Sequence, residues 1–349
     1  MPDRFESALR ATRVAVLTLL VGGVGAAVFR ALGFPAPFLA GPAVTVTTAI
    51  LLGVRLAIPV PLGNACFLLL GIGIGSTVTP EVLQAAVTWP VSFVVMTMTL
   101  LTSLVANRTL LHRAFGFDPF SAMLAATPGH LSYVMGLSTE LGSDVSRIAI
   151  VQSMRVLFLT VLVPALLALW GVEGDAVTTP TAPMTPLSAL MLAAVSVAAA
   201  WGLARLNVPA AWLLGGMFVS GAAHATELAP GQLPSWLTLA AFTVMGSLIG
   251  TRFRDQSLVE LRRNLLAGIG VTLVSCGVAA IGALMVARIL DLSPALLLIS
   301  FAPGGVEVMA AMSVQIGVEP TFVAAHHVFR LLILTAIIPL LFFRGRNRP

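Results

Sequence analysis

Apolar residues fall into long runs along the whole chain, and short stretches between the runs carry most of the charges. Strands of a membrane barrel would alternate apolar and polar residues over about ten positions, whereas these runs are continuous. The pattern therefore predicts helices, in two sets of six. The runs are 14–30, 37–53, 62–79, 86–106, 119–138 and 147–170, then 187–204, 210–226, 236–251, 264–288, 293–315 and 321–343.

The composition sets the class of protein. Hydrophobic residues make up 58% of the 349 positions, charged residues 9%, and the mean hydropathy is +1.01. Soluble domains carry about 25% charged residues, so this chain could not cover a water-facing surface. We expect an all-α polytopic membrane protein whose main partner is the lipid bilayer, with the first run kept as an uncleaved span.

Charge and chemistry exclude several functions. The net charge of +5 lies in short loops, where basic residues set orientation in a membrane, so we expect no nucleic-acid partner. Cys66 and Cys276 lie inside apolar runs, and His326 and His327, being adjacent, would point about 100° apart on a helix. We therefore expect no metal, no cofactor, no catalytic residue and no enzyme activity.

The chain contains the same unit twice. Shifted by 175 positions, residues 127–164 overlay residues 302–339 without a gap, and Pro128 matches Pro303 while Arg155 matches Arg330. Compositional bias would not align Pro, Gly and Arg in one register. We assign residues 1–172 to a first membrane repeat (copy one), 173–186 to an aqueous linker, and 187–349 to a second repeat (copy two).

Loop charge predicts that each copy crosses the membrane an odd number of times. If all six runs crossed, five arginines of copy two would lie outside, against the positive-inside rule. If the Pro-Gly run instead enters and returns, or another short run fails to cross, these loops lie inside. About ten spans and two inverted repeats follow, with the Pro-Gly segments re-entrant or broken. The five arginines are Arg205, Arg252, Arg254, Arg262 and Arg263.

The Pro-Gly segments "TPGH" (127–130) and "APGG" (302–305) predict a binding site. A helix broken in lipid leaves backbone groups unpaired, so such breaks occur where they are buried or line a cavity. Paired breaks in inverted repeats are typical of transporter sites, and helix N-termini there favour anions. The candidate binding residues are Thr127, Pro128, Gly129, His130, Ser132, Gln152 and Arg155 in copy one, and Pro303, Gly304, Gly305, Glu307, His326, His327 and Arg330 in copy two.

Two residue types allow two interpretations each. Glu307 is either a helix-start carboxylate or a protonatable coupling group. Arg155 and Arg330 either bind or gate an anion, or they neutralise the carbonyl end of a broken helix or pair with an acid such as Glu140 or Glu307. The glycines of "GIGIG" (71–75) and "GSLIG" (246–250) predict close helix packing.

The duplicated unit, with "TPGH" and "APGG" each followed by a helix carrying Arg155 or Arg330, resembles the membrane AbrB duplication family over nearly the whole chain. The resemblance implies a bacterial inner-membrane protein, distantly related to cation/proton antiporters and anion transporters. The paired midmembrane aspartates of classical antiporters are absent, which argues against simple sodium/proton exchange.

We therefore expect a secondary transporter of a small organic, anionic solute, coupled to protons or sodium, with both termini cytoplasmic and a homodimer as a possible assembly. The alternatives are a membrane sensor or regulatory protein and a monooxygenase-type membrane enzyme.

Overall fold

The computed structural model describes residues 2–78, 84, 87, 89–129, 131–140, 142–169 and 183–346. Most of the predicted linker (173–186) and His130 lie outside these residues. The described part of the chain is helical apart from turns and one isolated bridge between Pro183 and Gln232. Its helices are α1 (Pro2–Ala31), α2 (Pro37–Leu51), α3 (Val60–Gly75), α4 (Trp89–Phe115), α5 (Pro119–Ala126), α6 (Leu131–Glu140), α7 (Val145–Leu169), α8 (Pro186–Arg205), α9 (Ala211–Ala225), α10 (Ser235–Thr251), α11 (Leu258–Leu290), α12 (Pro294–Phe301), α13 (Val306–Ile316) and α14 (Pro320–Arg346).

Several helices are longer than the apolar runs that predict them. α1 begins at Pro2 rather than 14, and α4 continues to Phe115 rather than 106. An apolar run marks the length that lipid covers, whereas helical hydrogen bonding continues into the polar headgroup region. Each Pro-Gly run, by contrast, forms two short helices, because α5 ends at Ala126 and α12 ends at Phe301.

Six helices among the described residues are long and apolar enough to cross a membrane, namely α1, α4, α7, α8, α11 and α14. They differ in how far the protein covers them. The most apolar window of α7 is 67% buried inside the protein, and that of α14 is 50% buried, against 17% for α8. α7 and α14 are therefore central helices, and α8 presents its surface outward.

Helix bounds recur along the chain at an offset of 174 or 175 positions. α5 and α12 begin at Pro119 and Pro294, and α7 and α14 begin at Val145 and Pro320. Turns recur as well, because Ala36 and Ala210, which precede α2 and α9, both adopt left-handed backbone angles, with φ of 51° and 53°. Within the described residues, helices α1–α7 are thus followed by α8–α14 in a matching order.

Packing between the copies is reciprocal. α3 packs on α9 and α2 on α10, while α3 also contacts its own counterpart α10. At this last contact Cys66, near the middle of α3, bonds to the carbonyl of Ala241, near the middle of α10. Ser76, after the end of α3, lines a cavity with Ser235, where α10 begins. These two counterpart helices therefore run antiparallel.

The close packing predicted for the glycine segments is confirmed. A Cβ on Gly71 would lie 2.1 Å from the carbonyl oxygen of Leu213 in α9, and one on Gly246 would lie 2.3 Å from that of Leu39 in α2. Both distances are well inside van der Waals contact, so any side chain would force the helices apart. Glycine at these positions fixes the reciprocal α3–α9 and α2–α10 contacts.

Candidate functional site

The first break follows α5, and side chains of α7 bond to its carbonyl end. The Nε2 of Gln152 donates to the carbonyl of Leu124 at 3.0 Å. One turn further on, Arg155 donates to the carbonyls of Ala126 at 3.4 Å and Thr127 at 2.9 Å. The last carbonyls of any helix lack intrahelical partners, so these bonds satisfy groups that water cannot reach here.

The second break follows α12, and side chains of α14 bond to its carbonyl end in the same way. The Nε2–H of His327 donates to the carbonyl of Ile299 at 3.0 Å. Arg330 donates through Nη1 to the carbonyl of Ala302 at 2.7 Å, and through Nη2 to that of Gly304. All of these side chains are at least 97% buried, including their counterparts in α7, Gln152 and Arg155.

The two sets of bonds occupy equivalent positions of the repeat. Gln152 and His327 are 175 positions apart, as are their acceptors Leu124 and Ile299. Arg155 and Arg330 likewise bond to the matching carbonyls of Thr127 and Ala302. Each arginine therefore compensates the negative dipole end of a half-helix, which is the second of the two interpretations given above.

The two breaks meet each other. Pro128 and Pro303 line one cavity together with Arg330. A Cβ on Gly129, whose φ is +78°, would lie 3.2 Å from Cδ2 of Leu331 and 3.9 Å from Nη2 of Arg330. The first break therefore lies against the arginine that bonds to the second. The N-terminal turn of α13, with Gly305 before it and Glu307 within it, starts from this junction.

Positive charge dominates the junction. Glu307 is close enough to Arg330 and Arg252 to interact with them electrostatically, and Arg155 is close enough to do so with both arginines. Among the described carboxylates none forms an ion pair with Arg155 or Arg330; the ion pair that is described, Arg254–Asp255 at 3.4 Å, lies at the surface. The buried guanidinium groups of Arg155 and Arg330 thus lie at the two breaks without an ion pair among the described residues, which favours an anion over a metal cation.

Arg252 is the residue that sequence reasoning missed. It follows the last residue of α10, and its loop position made it a marker of orientation only. Its counterpart 175 positions earlier, Thr77, is uncharged, so the repeat did not indicate that Arg252 belongs to the site. The folded chain brings Arg252 near Glu307, a relation that no sequence pattern predicts.

Other predicted site residues lie elsewhere or are not described. His326 faces α4, where its ring stacks on Phe322 with centroids 4.0 Å apart and its Nε2 lies 2.5 Å from Oγ of Ser92. Arg330 follows His326 by one turn and also faces α4, but none of the described hydrogen bonds joins His326 to either break. His130 and the side chain of Ser132 lie outside the described part. That part also holds no group of three or more His, Cys, Asp or Glu side chains arranged for a metal ion.

A second cavity lies where α3 ends and α10 begins, which we call the vestibule. Its volume is about 290 Å³. Its polar lining consists of Ser76, Thr77, Gln232, Ser235, Thr238 and Glu319. On its apolar side are Leu70, Phe242 and Val314, two turns beyond the start of α13. Val314 lies about 12 Å along α13 from the start of that helix, where the second break ends.

Comparison with known proteins identifies the family. The model for the transition state regulatory protein AbrB matches residues 38–344. The chain belongs to the AbrB family. It is 26% identical to the "Putative regulator AbrB" of Escherichia coli over 90% of both chains. It is also 25% identical to the "Uncharacterized protein YhjN" of Bacillus subtilis, over 78% of this chain and 75% of that one.

Proposed function

We propose that this AbrB-family protein is a secondary transporter that moves a small organic anion by alternating access around its two paired helix breaks. The observation that carries the proposal is the junction of two interrupted helices beside Arg155 and Arg330, buried arginines that lack a carboxylate in ion-pair contact. In secondary transporters, helix breaks of this kind line the sites where solute groups contact backbone dipoles inside the membrane.

The proposal includes two inverted repeats and ten spans in a bacterial inner membrane. Recurrent helix bounds and the antiparallel contact of counterparts α3 and α10 support inversion. In this arrangement α5–α6 and α12–α13 enter and return, while the other helices cross. Loop arginines then place both termini in the cytoplasm and open the vestibule to the opposite side. Homodimerisation stays a prediction, because none of the described residues is assigned to a dimer interface.

Glu307 is the proposed coupling group. It lies in the first turn of α13, near two guanidinium groups that compete for its charge. Protonation of Glu307 would remove a negative charge that repels a solute carboxylate from the positively charged junction, which links proton and anion movement. Glu307→Gln should therefore abolish acceleration of uptake by a proton gradient, while solute exchange without a gradient continues.

The test is transport by purified protein in proteoliposomes loaded with radiolabelled small mono- and dicarboxylates. We expect at least one to exchange faster than in empty liposomes, and Thr238→Trp, which fills the vestibule, to block it. Val195→Trp, on the outward surface of α8, is the matched control and should transport normally. Absence of flux for every carboxylate under both proton and sodium gradients would refute the proposal.

A regulatory role is the second candidate, because the matching family model and the E. coli relative are both described as regulators. This role predicts a stable protein partner rather than solute movement. Recovery of one stoichiometric partner with the full chain from membranes, together with the absence of flux above, would favour it.

A further inference from the structure

The cavity where the two breaks meet is far too small for an organic acid. Its volume is about 20 Å³, close to what one water molecule or one monatomic ion requires. The residues of interest in its lining are Thr99, Ser103, Pro128, Ser275, Pro303 and Arg330. It therefore joins both breaks, one arginine and hydroxyl groups from α4 and α11 around a single small site.

Arg330 brings an unpartnered N–H donor to this cavity. Its side chain is 3% exposed, and its Nε–H has no partner among the described residues. Its other donors bond to the carbonyl oxygens at the end of α12, and the described residues give it no ion pair. A buried guanidinium without a counterion in contact is unfavourable, so the site gains if an anion enters beside this N–H.

The hydrogen bonds of Ser275 indicate which kind of ion the hydroxyl groups of this cavity would bind. Its Oγ accepts one bond from Nδ2 of Asn107 at 2.7 Å and another from Oγ of Ser103 at 3.5 Å. The proton of Ser275 itself has no acceptor within the described residues. A hydroxyl oxygen that accepts two bonds has its proton left to donate, which suits an anion and opposes a cation.

We propose that this cavity binds one small inorganic monovalent anion of halide size, held by Arg330 and by the hydroxyl of Ser275. The ion links the two breaks by compensating Arg330 at their junction. In the proposed transporter it occupies the closed centre, and that role rests on the proposed function. The binding itself does not depend on transport.

The test is thermal unfolding of the purified full chain in detergent at constant ionic strength. Chloride and bromide should raise the unfolding temperature saturably over gluconate, and acetate should not, because its extra atoms exceed the cavity. Ser275→Ala should weaken the chloride effect about tenfold, as expected for one lost hydrogen bond to an ion. Ser196→Ala makes the same change at a buried hydroxyl of α8 outside the cavity and should behave as wild type.

Equal unfolding temperatures in chloride and gluconate would overturn the proposal and assign the cavity to water. A chloride response identical in Ser275→Ala and Ser196→Ala would overturn it too, as would equal stabilisation by acetate. Carboxylate flux without a chloride effect would refute the anion site alone. A chloride effect without any carboxylate flux would support the site and refute the transport proposal.

Discussion

The two helix breaks are alike on the carbonyl side, where the first half-helix ends, and differ on the side where the next helix begins. At the carbonyl ends, Gln152 and Arg155 make the same bonds after α5 that His327 and Arg330 make after α12. Beyond the breaks the copies diverge, since copy two has Glu307 where copy one has Ser132. The shared end meets a demand of backbone chemistry in lipid, and the divergent end is where a specific solute or ion would be recognised.

The largest expected effect tests the shared end. Arg155→Gln and Arg330→Gln each leave two buried carbonyls without a donor, and each unmet group costs about 1–3 kcal/mol. We expect each variant to lower the free energy of unfolding by roughly 2–6 kcal/mol. Denaturant unfolding in mixed micelles measures this. Loss of stability in only one variant would contradict the equivalence of the two breaks.

Substitutions of His327, the counterpart of Gln152, test whether stability depends on the hydrogen bond to the carbonyl or on the type of side chain. His327→Ala should cost about 1–3 kcal/mol, because the carbonyl of Ile299 loses its donor. His327→Gln, which copies the side chain of the first break, should cost clearly less in the same unfolding assay. If the Gln and Ala variants are equally unstable, the carbonyl bond is not what His327 contributes.

Replacing the glycine at each break by alanine should lower the stability by different amounts. Gly129 has φ of +78°, whereas Gly304 is not in the left-handed region and an added Cβ there meets the flexible side chain of Met309. A left-handed L-residue costs about 1–2 kcal/mol, so Gly129→Ala should be that much less stable than wild type. Gly304→Ala should cost less. The reverse order of unfolding midpoints would show that the backbones of the two breaks are not as described.

The smallest effect concerns the starts of α5 and α12. Burial raises the pKa of Asp118, but bonds from the side chain of Ser121 and from the N–H groups of Phe120 and Ser121 prevail and lower it below 3.8. Its counterpart Ser293 makes no side-chain cap bond. Asp118→Ala should cost about 1 kcal/mol, and Ser293→Ala almost nothing.

The same pair gives a dependence on pH. Because the pKa of Asp118 is lower in the folded protein, its contribution is present above the unfolded value of about 3.9 and is lost as pH falls through the folded value. Asp118→Asn keeps a capping side chain and should remove this part of the acid sensitivity of unfolding. An unchanged pH profile would rule out Asp118 as the titrating group.

The sequence predicts most of the architecture, because lipid leaves the backbone few choices. Apolar runs indicated the helices, and Pro128 and Pro303 marked both interruptions, since proline removes a helical donor. Depth within α7 and α14 singled out Arg155 and Arg330, because a charge there must find partners. Arg252 could not be predicted, since its role depends on how the end of α10 approaches α13. The contact of His326 with Ser92 could not be predicted either, since it depends on how α4 packs against α14.

The comparison of the two copies rests on inversion, and paired turns test it directly. Val54, after α2, and Leu228, after α9, are counterparts with the same backbone bond, to the carbonyls of Ala49 and Ala223. Each would be replaced by cysteine in turn, without the native Cys66 and Cys276, with Arg254→Cys as a reference for the cytoplasmic side.

Labelling of intact cells and of inverted membrane vesicles with a membrane-impermeant thiol reagent then gives the side of each turn. We expect labelling of Leu228→Cys from outside, and of Val54→Cys and Arg254→Cys only from the cytoplasmic side. Labelling of Val54→Cys and Leu228→Cys from the same side would contradict the inverted arrangement, and with it the central site between two opposed breaks.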